Sequence, residues 1–97
     1  MKHFHRTQLS PDVVLAAADE FFPTIGLAAT TSAERSRGYS GALGTMTLLV
    51  KAEGGHYTFI EADTDQMGES RLDRNVKRFF VHLHRRANPR HRLHAAF

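Results

Sequence analysis

The chain has 97 residues, 41% of them hydrophobic and 24% charged, a composition that suits one small folded domain and argues against global disorder. It contains no cysteine, which excludes disulfides, thiolate metal sites and cysteine catalysis. The net charge of +3 is unevenly spread: residues 1–70 hold 5 Lys/Arg against 9 Asp/Glu, whereas residues 71–97 hold 8 Lys/Arg against one Asp.

Residues 1–9 read as a polar lead-in. No apolar h-region follows Met1-Lys2-His3-Phe4-His5-Arg6, and no apolar run nears the roughly 18 residues of a membrane span, so the cytoplasm is the expected compartment. Ser10-Pro11-Asp12 is a helix start, with serine as N-cap, proline at the first helical position and aspartate in the first turn. The helix is expected to run to about Phe22 and to stop at Pro23. Val14, Ala17, Ala18, Phe21 and Phe22 share one side of it.

Leu27 to Arg37 alternates loosely, with threonines that favour a strand, and Arg35 to Gly41 reads as the loop before the next one. Two apolar runs then flank Glu53-Gly54-Gly55-His56, a hairpin signal because both positions of a type I′ turn need positive φ. A loop of the two glycines alone sets Ala52 opposite Tyr57, Val50 opposite Phe59 and Leu48 opposite Glu61. One face would carry Met46, Leu48, Val50, Ala52, Tyr57 and Phe59; the other would carry Thr47, Leu49, Lys51, Thr58, Ile60 and Ala62. An acidic connection, Glu61 to Glu69, leads to Ser70 and Asp73, a capping box with aspartate in the place of glutamate. Leu72, Val76, Phe79, Phe80, Leu83 and Ala87 form the apolar stripe of a last helix that Asn88-Pro89 ends. Residues 88–97 read as a basic, mobile tail.

The expected fold is therefore a single α+β domain over residues 1–97. It has two layers in the order α-β-β-β-α, with a three-stranded antiparallel sheet and both helices on one face. The outer face would be too apolar for water, which makes Leu49, Ile60, Thr47 and Thr58 the candidate self-association face and a homodimer the expected assembly.

Chemistry finds little footing. The H-x-H pairs His3/His5 and His82/His84 invite a metal, but i and i+2 on a helix lie about 200° apart, and His3/His5 would need an ordered N-terminus. Asp63-x-Asp65 with Gly68 starts like a calcium loop, yet Met67 and Arg74 stand where an oxygen ligand and a glutamate are required. No nucleophile elbow, dinucleotide fingerprint or P-loop occurs. The expectation is a non-catalytic module, self-associating or binding another protein through the sheet face, without metal or other cofactor.

Two further readings remain. Arg71, Arg74, Lys77, Arg78, Arg85 and Arg86 fall on the solvent side of the last helix, extended by Arg90 and Arg92, which suits a nucleic-acid backbone or an acidic partner. The helix–three strands–helix layout is shared with double-stranded-RNA-binding domains, but Leu72 and Asp73 interrupt the basic cluster those domains carry at the helix start, so the chain is not assigned to them. A curved sheet under helices could also hold a small apolar ligand, lined by Tyr39, Met46, Tyr57 and Phe80.

Overall fold

The structure, a computed structural model, describes residues 1–88. Its elements run β1 (Lys2–Thr7), α1 (Pro11–Thr24), β2 (Leu27–Ala33), β3 (Ser36–Gly41), β4 (Gly44–Glu53), β5 (Tyr57–Thr64) and α2 (Arg71–Ala87). The fold is α+β, with a five-stranded antiparallel sheet ordered β1-β5-β4-β3-β2 rather than the three strands expected.

Two strands account for the difference. The lead-in is β1, paired with β5 so that Lys2 faces Asp63 and Thr7 faces Thr58. Its sequence, KHFHRT, shows no apolar alternation because its inward side chains are His3, His5 and Thr7. The stretch 27–41 folds back on itself through Glu34 and Arg35 to make β2 and β3. Neither turn residue is a glycine or takes a positive φ, so the usual hairpin signature is missing there.

The β4–β5 hairpin sits where expected but one residue out of register. Its loop has three residues, with Gly55 at φ 76° and His56 at φ 67°, so Glu53 faces Tyr57 and Leu48 faces Ala62. A slip of one residue turns every β5 side chain to the other face. Thr58, Ile60, Ala62 and Thr64 thus join Met46, Leu48 and Val50 under the helices, while Tyr57, Phe59, Glu61 and Asp63 turn outward. The physical reason is Glu61. The expected register would have set its carboxylate beside Leu48 in the core, at a cost of several kcal/mol if unpaired; the observed one puts Ala62 there.

Both helices lie on that inner face. Serine caps each N-terminus, Ser10 accepting from the Val13 N–H and Ser70 from the Asp73 N–H. α1 runs two residues past Phe22. Pro23 lacks a donor but keeps its carbonyl, which accepts from the Gly26 N–H at 3.1 Å and closes the last turn. Val14, Leu15, Ala17, Ala18 and Phe22 of α1 meet Leu72, Val76, Phe79 and Leu83 of α2 in one core with Leu27, Tyr39, Met46, Leu48, Val50, Ile60 and Ala62 of the sheet. Its centre is aromatic: the Phe22 ring lies 5.0 Å from both Tyr39 and Phe79. Among the described residues no helix covers the sheet's other face. Residues 89–97, with Pro89 of the expected helix end, Arg90, Arg92 and most of the expected tail, lie outside the described residues.

Candidate functional site

The uncovered face is built by strand alternation. Lys2, Phe4 and Arg6 point outward from β1, Tyr57, Phe59, Glu61 and Asp63 from β5, and Thr47, Leu49, Lys51 and Glu53 from β4. Phe4, Leu49 and Tyr57 are 55%, 51% and 45% exposed, large apolar side chains standing in water. Phe4 stacks on Phe59 with ring centroids 5.6 Å apart, and the Arg6 guanidinium lies 5.1 Å from the centre of the same ring. Arg6 also donates from Nε to Glu53 Oε1 at 3.0 Å, so one cation holds the ring and the hairpin end together.

Beside this stack the sheet forms a shallow depression of about 350 Å³, with Leu49 and Phe59 among its lining and Arg35, Lys51 and Glu61 around it. Lys51 and Glu61 make no side-chain hydrogen bond or ion pair among the described residues. The face therefore offers exposed apolar rings together with charges of both signs.

Of the four residues expected here, Thr47 and Leu49 occupy the outer face. Ile60 (0% exposed) and Thr58 (3%) lie in the core instead, a correction that follows from the shifted hairpin. Phe4, Phe59 and Tyr57 replace them. The sequence hides Phe4 because the polar inward positions of β1 mask its strand character, and it hides the two β5 aromatics because the third loop residue of the hairpin turns them to the outer face.

The basic residues of α2 stand as their spacing implies. Arg71, Arg74, Lys77, Arg78, Arg85 and Arg86 are all exposed, and at about 100° per residue Arg71, Arg74, Arg78 and Arg85 share the side opposite Leu72, Val76, Phe79 and Leu83. Lys77 is tied to Glu69 at 2.9 Å, and this pair lowers the Glu69 pKa. Arg78 donates to the neutral Asn75 at 3.1 Å. Arg71 and Arg74 make no ion pair among the described residues.

The one acid of α2 is buried. Asp73 (0% exposed) accepts at Oδ1 from His3 Nε2 and Thr64 Oγ1, both at 2.7 Å, and at Oδ2 from Ser70 Oγ at 2.6 Å. Burial pushes its pKa up, but the bonds from His3, Ser70 and Thr64 outweigh that and hold it at about 2. Aspartate is one methylene shorter than the usual capping-box glutamate, and here it bonds the Ser70 hydroxyl. The network pins β1 to the start of α2.

The histidines follow. His3 and His5 share the inner face of an ordered strand, but His3 is held by Asp73 and the His5 ring stacks on Phe80 at 4.9 Å. Burial lowers the His5 pKa, and nearby His84 lowers it further. His82 leans the other way, 6.1 Å from Phe21. Among the described residues no three His, Asp or Glu side chains gather where they could hold a metal ion. Tyr39 and Met46 are in the filled core and Tyr57 is on the opposite face, so the residues considered for an apolar ligand do not line one cavity. The Tyr39 hydroxyl donates to Asp19 at 2.7 Å, and its pKa is raised by burial first and by that carboxylate second.

Among the described residues no helix is long and apolar enough to cross a membrane. No known family matches the chain, and no curated protein matches its sequence.

Proposed function

We propose that the protein is a non-catalytic cytoplasmic module that self-associates, two copies meeting outer sheet face to outer sheet face about a two-fold axis. The observation that carries this reading is the cluster of Phe4, Leu49 and Tyr57, each about half exposed, around the stacked Phe59 on a face that no helix of the described residues covers.

Charge and size favour a second copy as the occupant. Arg35 is paired with Asp12 of α1, and Lys2, Arg6 and Lys51 are offset by Glu53, Glu61 and Asp63, so the face is close to neutral and two copies can meet without net repulsion. A face of this charge has little attraction for a polyanion. The five strands hold 37 residues, which at about 3.4 Å rise and 4.8 Å spacing give a surface of roughly 600 Å², three quarters of the 800 Å² or so that each partner of a standard interface contributes.

Light scattering tests the reading. The wild-type chain is expected at twice the monomer mass, and Leu49→Lys at the monomer mass with an unchanged circular dichroism spectrum. Lysine is chosen because residue 49 faces Glu61, so the monomer gains a cross-strand pair whereas a sheet-to-sheet dimer must bury an ammonium group. A wild-type monomer at high protein concentration, or a Leu49→Lys dimer, rejects this face.

A further inference from the structure

We propose that the arginine face of α2 is a contact surface for the phosphate backbone of double-stranded nucleic acid, and that a dimer carries two such faces pointing in opposite directions, so that one dimer bridges two duplexes. The bridging half rests on the self-association argued above; the contact half does not.

The contact begins with the stripe. Arg71, Arg74, Arg78 and Arg85 lie opposite the buried side of α2, and at about 1.5 Å per residue they extend over roughly 21 Å of helix. That length matches about six base pairs of backbone at 3.4 Å each. Of the two acids at its start, Asp73 is buried under His3, Thr64 and Ser70, and Glu69 bonds Lys77 while its charge also acts on Arg74, so positive charge stays in excess along this side of the helix. The stripe borders a shallow groove of about 460 Å³ between the helices, where Lys77, Arg78 and Arg85 stand beside Phe21 of α1, Val81 and His82. Planar guanidinium groups suit phosphate oxygens because they donate in pairs.

An anionic membrane fits less well. A helix that lies on a bilayer inserts an apolar face, but the apolar face of α2 is in the core, and no large exposed hydrophobic side chain belongs to α2.

Bridging follows from the layers. Two sheets packed face to face lie about 10 Å apart, and each helix layer covers the side of its sheet that faces away from the partner. The two arginine stripes then sit on opposite outer surfaces, and a single straight duplex reaches only one of them.

The test uses the full chain and a labelled duplex of about 20 base pairs. Anisotropy should show binding that weakens steeply between about 50 and 200 mM salt, with a log–log slope of roughly −3 to −4 for four arginines. The Arg74→Glu/Arg78→Glu variant should bind at least about tenfold more weakly, with an unchanged mass and circular dichroism spectrum. For bridging, a duplex fixed to beads should retain a second, dye-labelled duplex through the wild-type protein. The Leu49→Lys variant should bind the fixed duplex equally well and fail to retain the second. No binding at low salt, binding unaffected by the arginine reversals, or binding confined to anionic phospholipid vesicles overturns the contact. A dimer that binds one duplex without retaining another overturns the bridge. A wild-type monomer that still binds overturns both self-association and the bridge, and leaves the arginine contact standing.

Discussion

Asp73 shows how one side chain can hold two distant parts of the chain together. Its carboxylate collects donors from β1, β5 and the N-cap of α2, so its removal leaves three polar groups facing a buried void. Asp73→Asn is expected to lower stability by about 3 kcal/mol in urea unfolding at neutral pH, because the amide cannot accept from all three donors and a buried hydrogen bond to a charged acceptor contributes about 1.5–3 kcal/mol. The acid dependence has a definite sign. The folded-state pKa of about 2 lies below the ordinary 3.8, so the stabilisation is complete above about pH 4 and is lost as pH falls through about 2. The gap between wild type and Asp73→Asn should therefore narrow by about 2 kcal/mol between pH 5 and pH 2. A gap that stays constant over that range would show that the carboxylate is not ionised in the folded protein.

At the scale of elements, the β4–β5 hairpin distinguishes two registers that share one turn. Gly54-Gly55 suits a two-residue loop, yet His56 also enters the left-handed region and lengthens it to three. Substitution reads the register directly. In the Leu49→Lys background, Ile60→Ala should cost about 2–5 kcal/mol and Phe59→Ala, which loses a surface stack and a cation contact, about 1–1.5 kcal/mol; the two-residue loop would reverse that order. The helices were legible from sequence because their information is local. Ser10 and Ser70 as caps, and the spacing of Leu72, Val76, Phe79 and Leu83, depend on neighbours within a few positions. β1 was not legible. Its inward positions are polar, and they become interior only where Asp73 and Phe80 of α2 receive them.

For the whole molecule, the layers separate two kinds of surface. The sheet side sets exposed apolar rings among nearly balanced charges, whereas the helix side is cationic through α2. Their responses to salt should separate too. Light scattering should find the dimer intact from about 50 mM to about 1 M salt, since apolar burial is little screened, while duplex binding fades over the same range. A dimer that dissociates as salt rises would mean that the sheet charges, rather than Phe4, Leu49 and Tyr57, hold it together.

The amino-acid sequence by itself determined the α+β class, both helices with their caps, the place of the β4–β5 hairpin and the gathering of basic residues on the last helix. Each depends on short-range patterning that survives without knowledge of the partner elements. Only the tertiary structure decided that residues 2–7 form an edge strand, that 27–41 make a hairpin without a glycine turn, and that Ile60 faces in while Phe59 faces out. These are questions of pairing, and a strand's local alternation fits either face. What resolves them is the energy of the assembled core, which excludes the Glu61 carboxylate from beside Leu48 and admits His3 only because Asp73 is there to receive it.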